Sequence, residues 1–208
     1  MRFSAKKLAL MAVLTAAALI VFIIEAQIPV PVPIPGVKLG LANVITLFAL
    51  FWRRQEASMA SALRKEKNAA SEQHKEVRIS LTLRKEKSAA DGLTTADAFM
   101  ILVCRIVLGA VFSGNAAALI YSTAGGMFAF AAEAALKRFV TDKQIWVCGV
   151  SGAIFHNIGQ ILAAMLVTGT PYIAALLPVL TIVAVITGVI TGMAAQFAVA
   201  RLSGGGNS

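Results

Sequence analysis

Long apolar stretches constrain this chain more than any other feature. Of its 208 residues 58% are hydrophobic, and the charged residues are bunched between the apolar stretches rather than scattered along them. A soluble domain needs charge along every surface element, whereas a helix in hydrocarbon is apolar over most of its surface. One crossing takes about 20 apolar residues, so the chain has room for roughly five to seven crossings. The sequence therefore predicts an all-α integral membrane protein, with a single transmembrane domain over residues 1–208.

The positions of Lys and Arg predict how the helices are oriented. The formal net charge is +9, and the cationic residues lie beside the apolar segments, which indicates membrane topology and not nucleic-acid binding. The predicted helices span about 8–28, 39–52, 98–112, 116–136, 144–167 and 177–200. With six crossings, Lys38 is the only cation in an outer loop. This asymmetry predicts a six-helix transmembrane bundle with both termini cytoplasmic. We expect a multi-pass protein of a bacterial plasma membrane.

The second predicted helix, residues 39–52, is short for a full crossing unless part of the preceding segment extends it. That segment, residues 29–36, has proline at alternate positions. Proline fixes φ and lacks a backbone donor, so neither a helix nor a paired strand is expected there. The sequence predicts an extended turn at the outer face.

A polar region at residues 53–97 separates the second and third predicted helices. It holds ten Lys or Arg residues and seven Asp or Glu residues. The motif Leu63-Arg-Lys-Glu-Lys-Asn-Ala-Ala recurs twenty residues later as Leu83-Arg-Lys-Glu-Lys-Ser-Ala-Ala. We interpret the region as a charged cytoplasmic insert. Two roles stay open for it: a solvated, partly helical linker, or a docking site for a partner or for anionic lipid.

The catalytic motifs that the sequence lacks favour a non-catalytic protein. There is no acidic motif of the kind that binds a diphosphate through metal, no Walker loop, no GxSxG and no HExxH. Cys104 and Cys148 lie in apolar helices without CxxC spacing, so neither a disulfide framework nor a metal site is indicated. No cofactor is expected, and prenyl transfer or ATP hydrolysis by this chain alone is not predicted.

Four ionisable residues fall within the predicted helices: Glu25, Arg105, Glu133 and His156. An ionised group at the centre of a membrane helix is unfavourable by about 2.5–3.5 kcal/mol on insertion scales, so such groups are expected to face one another inside the bundle. Glu133 lies four residues before Lys137, and we interpret these two as a helical ion pair at the membrane interface.

A polar pocket that opens outward is expected where these groups meet. His156 and Gln160 are four residues apart and share a helix face, which Asn157 extends. The predicted substrate-binding residues are Lys38, Asn43, Arg105, His156, Asn157 and Gln160, and Ser122 and Thr123 are further candidates for the lining. The Arg105 guanidinium suits a phosphate or a carboxylate. The alternative is that Arg105 and His156 only hydrogen-bond between helices and fix their packing.

Five motifs carry a resemblance to a known family. They are Pro33-Ile-Pro-Gly-Val-Lys-Leu-Gly-Leu-Ala-Asn-Val-Ile-Thr46, Arg105-Ile-Val-Leu-Gly109, Phe112-Ser-Gly114, Ala124-Gly-Gly126 and His156-Asn-Ile-Gly-Gln160. Through them the chain resembles the Gx transporter family, which is also catalogued as heptaprenyl diphosphate synthase component I. The likeness covers essentially the whole hydrophobic part of the chain. One departure is an insertion of about residues 55–95, where the family has a short turn.

The resemblance implies a substrate-binding component (S component) of an energy-coupling-factor (ECF) transporter. Such components are six-helix bundles that bind a vitamin or a precursor, and the ATPases are separate chains. In S components an alanine pattern on the first helix docks the coupling subunit, and Ala5, Ala9, Ala12 and Ala16 fit that spacing. The implied partners are therefore a small-molecule ligand, the lipid bilayer, a coupling subunit and ATPases.

The resemblance also implies two other readings, one from the family name and one from the association of relatives with electron transfer. The chain would be a non-catalytic accessory to heptaprenyl diphosphate or menaquinone synthesis, partnered by a prenyl diphosphate synthase subunit, or an accessory to flavin-linked extracellular electron transfer. A third hypothesis is an intramembrane enzyme that uses His156 and Glu25.

Overall fold

The computed structural model describes residues 4–28, 38–52, 93–114 and 116–204, which form six α-helices. The helices are α1 (Ala5–Glu25), α2 (Asn43–Trp52), α3 (Thr95–Ser113), α4 (Ala116–Leu136), α5 (Ile145–Thr168) and α6 (Leu177–Gly204). Short 3₁₀ helices, Asp142–Gln144 and Pro171–Leu176, precede α5 and α6. The predicted all-helical fold is confirmed.

Five of the six helices are long and apolar enough to cross a membrane, and α2 is not. At 1.5 Å per residue, the ten residues of α2 extend about 15 Å, which is half of a hydrocarbon core about 30 Å thick. The chain is thus a multi-pass membrane protein with six helices, of which five are long spans and α2, the helix expected to be short, is a shorter apolar helix. The proline segment lies outside the described residues, and the cytoplasmic position of both termini stays a prediction.

Local capping determines where several helices begin and end. The Ser4 hydroxyl accepts the N–H of Lys7 at 3.2 Å and starts α1. Thr94 and Asp97 form a capping box that starts α3. Because of that box α3 begins at Thr95, so the last three residues of the predicted insert belong to a helix. The rest of the insert that the structure describes is Leu93 and Thr94; residues 53–92, with both copies of the repeated motif, lie outside the described ranges.

Helix α5 packs between α4 and α6, and glycine makes both contacts close. Gly188 and Gly192 of α6 lie against the α5 backbone, where a side-chain carbon on either would come within 2.6 Å of a main-chain atom. Gly159 meets the backbone of Ala124 on α4 in the same way. Small residues let membrane helices approach until their backbones touch, which maximises dispersion contacts where lipid gives no hydrophobic driving force. Helix α5 therefore has a fixed position beside both neighbours.

The end of the bundle at which α1 and α3 begin is held by apolar packing and by one ion pair. Leu47, Leu50 and Ile101 belong to a buried cluster at this end. Lys7 Nζ lies 2.7 Å from Asp97 Oδ2, with both side chains buried. The large apolar side chains that remain exposed, such as Ile182 at 65% on α6, then face lipid, as expected for a protein dissolved in a bilayer.

Candidate functional site

Five buried polar side chains and one half-buried lysine form a cluster between α1, α2, α3 and α5. We call it the polar cluster; its members are Glu25, Lys38, Asn43, Arg105, His156 and Gln160. The five buried members are at most 7% exposed. They come from four helices, with Lys38 in the segment before α2, so only the folded bundle brings them together.

Asn43 connects Arg105 to His156. Arg105 Nη2 on α3 donates to Asn43 Oδ1 at 3.1 Å, and Asn43 Nδ2 lies 3.2 Å from Nδ1 of His156 on α5. Asn43 is the first residue of α2, so the start of this short helix is fixed between two spans. The sequence placed Arg105 and His156 in one pocket, and the structure shows that they meet through Asn43.

Glu25, the last residue of α1, anchors the backbone that leads into α2. Its two carboxylate oxygens accept the N–H groups of Gly40 and Ala42, the latter at 3.4 Å. Gly40 has φ of +80°, which glycine adopts without strain, and a side-chain carbon there would lie 2.8 Å from the His156 ring. The turn therefore requires glycine for conformation and for space. The sequence identified Glu25 as a membrane-embedded acid but gave no sign of this anchoring role.

Lys38 and Gln160 close the cluster on the side of α5. The Lys38 backbone N–H donates to Gln160 Oε1 at 3.2 Å, and Lys38 Nζ lies 3.2 Å from the centroid of the Phe22 ring, a cation–π geometry. Burial lowers the pKa of Lys38 below its ordinary value, and the positive charge of Arg105 lowers it further, while Glu25 acts in the opposite direction.

His156 and Gln160 lie side by side against α4, as their spacing predicted. A side-chain carbon at Gly125 would lie 2.8 Å from the His156 ring and 2.9 Å from Gln160 Cγ. The imidazole is thus enclosed between Gly125 on one side and Gly40 on the other. Glycine at both positions leaves room for one ring and fixes its plane.

Several polar atoms of the cluster have no hydrogen-bond partner among the described residues. Within the cluster these atoms are Lys38 Nζ, Arg105 Nε, His156 Nε2 and Gln160 Nε2. A buried polar group left unpaired is unfavourable by about 1–3 kcal/mol, and most buried polar groups in proteins are paired. Four such nitrogens in connected side chains therefore provide hydrogen-bonding capacity for a molecule that enters the cluster.

Two of the expected pocket residues face elsewhere. Asn157, next to His156 in sequence, donates from Nδ2 to the carbonyl oxygen of Leu180 on α6 at 2.8 Å. Successive helical residues point about 100° apart, so Asn157 joins α5 to α6. Ser122 is buried, but Thr123 is exposed and its hydroxyl bonds back to Leu119 O. The prediction that Thr123 lines the pocket is wrong.

Glu133 does not pair with Lys137 as the sequence suggested. The Glu133 carboxyl packs against Gly152 of α5, and Arg105 is the cation that acts on it electrostatically. Lys137 Nζ instead donates to the carbonyl oxygen at Leu50 near the end of α2. The interfacial ion pair is therefore replaced by a fully buried acid between α4 and α5.

The chemistry available in the cluster is recognition by hydrogen bonds and charge. In the described ranges, no group of three or more His, Cys, Asp or Glu side chains is placed to hold a metal ion. The cluster has two cationic side chains, one carboxylate and three neutral polar groups. That composition fits selective binding of a polar group inside a membrane.

Comparison with known proteins identifies a family for this chain. The chain matches the model of the family Heptaprenyl diphosphate synthase component I over residues 14–66 and 88–198. No curated protein and no solved structure matches it. The unmatched internal residues are 67–87, a narrower departure than the expected insertion of about 55–95. Removing the 20 residues 67–86 would leave one copy of the repeated motif, so the unmatched stretch is one residue longer than the duplication.

The matched ranges contain every residue of the polar cluster and most of each long helix. The match covers far more than half of the chain, and it includes the glycine positions that enclose His156. The chain is a member of the heptaprenyl diphosphate synthase component I family of membrane proteins.

Proposed function

We propose that this protein is the membrane-embedded substrate-binding component of a transporter, similar to an ECF S component. Its substrate is a small cofactor, vitamin or isoprenoid-related precursor. The observation that carries the proposal is the set of buried nitrogen atoms without a hydrogen-bond partner on the connected side chains of the polar cluster.

The energetics of burial favour a ligand over a purely structural network. In a low-dielectric interior a fully satisfied polar network rigidifies a fold, whereas a partly satisfied one destabilises it. Arg105 uses Nη2 on Asn43 and leaves Nε unpaired, and His156 uses Nδ1 and leaves Nε2 unpaired. A network selected only for packing would also pair Arg105 Nε and His156 Nε2. A ligand that pairs these atoms recovers the lost hydrogen bonds on binding.

The exposed face of α1 supports a coupling partner for transport. Ala5, Ala9, Ala12 and Ala16 are all exposed, and their spacing places them on one face of the helix. A face of small residues lets another membrane helix approach closely. We assign this face to a coupling subunit, with the ATPases as separate chains, because the chain itself has no nucleotide-binding motif.

Transport also requires a defined orientation. The first turn of α1, the α4–α5 connection and the end of α6 carry Lys6, Lys137, Arg138, Lys143 and Arg201. From the positive-inside rule we infer that both termini are on the cytoplasmic side of a bacterial plasma membrane.

Thermal unfolding of the purified protein in detergent tests the binding role. We expect one member of a panel of vitamins, flavins and isoprenoid diphosphates to raise Tm, because a ligand that binds only the folded state stabilises it. Arg105→Ala should abolish that shift. Arg201→Ala, which removes an exposed arginine at the end of α6, should retain it. No shift with any compound, or an equal shift in Arg105→Ala, would contradict the proposal.

A second candidate is a non-catalytic membrane accessory. The family name favours a role in heptaprenyl diphosphate synthesis, and the resemblance adds menaquinone synthesis and flavin-linked extracellular electron transfer. In that role the chain anchors a soluble prenyl diphosphate synthase subunit or a redox partner. Deletion of residues 60–90 should then abolish co-purification with the synthase subunit while the bundle stays folded. For the transporter, uptake should survive the same deletion.

A further inference from the structure

The orientation of the Asn43 amide follows from its two neighbours. An arginine can only donate hydrogen bonds, so the atom of Asn43 that meets Arg105 Nη2 at 3.1 Å is the oxygen. The amide nitrogen of Asn43 therefore faces His156 Nδ1 at 3.2 Å. An amide NH₂ can only donate, so Nδ1 of His156 is the acceptor.

The acceptor role of Nδ1 determines the protonation state of His156 in this arrangement. A neutral imidazole with an unprotonated Nδ1 carries its proton on Nε2. A doubly protonated ring would direct an N–H at Nδ1 toward the N–H of Asn43. The unpartnered Nε2 atom of His156 is therefore a hydrogen-bond donor.

The other unpartnered nitrogens of the cluster are donors as well. Gln160 uses Oε1 to accept the Lys38 backbone N–H, which leaves its NH₂ group without a partner. Arg105 Nε and Lys38 Nζ can only donate. The carboxylate of Glu25, the one acceptor with a negative charge in the cluster, is occupied by the backbone of Gly40 and Ala42.

We infer that the cluster binds an oxyanion group of its ligand, a phosphate or a carboxylate, through N–H donors of Lys38, Arg105, His156 and Gln160. Every free hydrogen-bonding atom of these four side chains donates, and a cation would meet no free acceptor on them. Oxyanions have several acceptor oxygens and form charge-assisted hydrogen bonds with such donors. The inference rests on the proposed substrate-binding function and specifies the chemical group that is recognised.

The protonation state of His156 is measurable by ¹⁵N NMR. The chain contains two histidines, so the His74→Gln variant labelled with [¹⁵N]histidine reports on His156 alone. We expect a proton on Nε2 and an unprotonated Nδ1 in the detergent-solubilised protein. A proton on Nδ1, or on both nitrogens, would overturn the inference.

Anion titration of the same sample tests recognition. We expect inorganic phosphate, pyrophosphate or acetate to shift the Nε2 resonance saturably at millimolar concentration. A response to phosphate or pyrophosphate alone identifies a phosphate group, and a response to acetate alone identifies a carboxylate. If none of the three shifts the resonance, the inference is wrong.

Gln160→Glu tests the donors without removing the contact to Lys38. A glutamate retains an oxygen for the Lys38 N–H but replaces the NH₂ donor with a carboxylate oxygen. We expect the affinity for the responding anion to fall at least about tenfold, since a hydrogen bond to a charged group is lost. Gln196→Glu is the matched control, because Gln196 Oε1 also accepts a backbone N–H, that of Trp146 at 3.5 Å. Equal affinity in the two variants would overturn the inference.

The ligand panel and the anion titration together separate this inference from the proposed function. If a neutral compound of the ligand panel raises Tm in an Arg105-dependent way while no anion moves the His156 resonance, substrate binding stands and oxyanion recognition fails. If no compound and no anion binds, both fail.

Discussion

The carboxyl group of Glu133 on α4 occupies the space in which a side-chain carbon on Gly152 of α5 would lie. Glu133 is 2% exposed, so an acid is packed against a helix backbone inside a membrane bundle. The absence of a side chain at position 152 is what makes room for it.

Gly152→Ala should therefore destabilise the protein. The added methyl group must displace the Glu133 side chain, and overpacking of this kind is unfavourable by about 1–3 kcal/mol. Thermal unfolding in detergent should show a lower Tm than for Ser151→Ala, one residue earlier on the same helix. Adding Glu133→Asp, which withdraws the carboxyl by one carbon, should recover part of the loss; a strictly additive double variant would contradict the contact.

Two adjacent glycines of α4 should respond differently to alanine. A side-chain carbon at Gly125 meets His156 and Gln160. One at Gly126 meets the methyl groups of Leu102 and Ile106 at 3.1 Å and reaches Arg105 Nη2 only at 3.7 Å, an ordinary van der Waals contact. Gly125→Ala should abolish ligand-induced stabilisation, and Gly126→Ala should lower Tm with ligand response retained. The comparison of Tm with and without ligand checks this. A retained response in Gly125→Ala would show that the placement of His156 is not required.

Removal of the Lys7 charge should weaken the contact between α1 and α3. The Lys7–Asp97 pair is buried, with side-chain exposures of 10% and 3%, and breaking a buried pair by removal of one partner is unfavourable by roughly 3–5 kcal/mol. Lys7→Met should therefore lower Tm strongly. The double variant Lys7→Met/Asp97→Asn should lose less stability than the sum of the losses in the two single variants. Additivity in this double-mutant cycle would mean that the pair does not couple.

The lowered pKa of Lys38 predicts opposite effects of pH on ligand affinity and on stability. It lies before α2, and burial lowers its pKa below the ordinary value of 10.5. As pH rises toward 10.5, Lys38 loses its proton in the folded protein first. Affinity for the responding anion should then fall, because a positive donor is lost.

Over the same range the unfolded chain binds more protons than the folded protein, so Tm without ligand should rise. Lys38→Arg should remove both effects, since arginine stays protonated throughout. Calorimetric titration and thermal unfolding from pH 7 upward check them. An affinity that falls equally in wild type and Lys38→Arg would assign the dependence to another group.

The long helices were predictable from sequence, because each is a separate run of apolar residues with the nearby cations at one end only. The bounds of α4 agree with the prediction, and α6 begins at the predicted residue. Helix α3 begins three residues early because Thr94 and Asp97 form a capping box. The shortness of α2 was visible as a short apolar run, but whether the proline segment extends the crossing was not.

The polar cluster was predictable in membership but not in detail. Ionised groups in a bilayer face one another, and spacing placed His156 and Gln160 on one face. Sequence could not show the rotation of each helix about its axis, which turns Asn157 to Leu180 and Glu133 to Gly152. Glu25, at the end of α1, anchors Gly40 and Ala42 before α2. Because this contact joins two separate elements, no local sequence pattern predicts it.

Native mass spectrometry of the protein purified from its own membrane tests the central claim most directly, because it detects a small molecule retained by the polar cluster. We predict a discrete small-molecule adduct on the wild type and on Gln196→Glu, and its loss from Gln160→Glu and Arg105→Ala. A wild-type protein without an adduct that also fails to respond to the ligand panel, or an adduct of equal occupancy in all four proteins, would contradict the account.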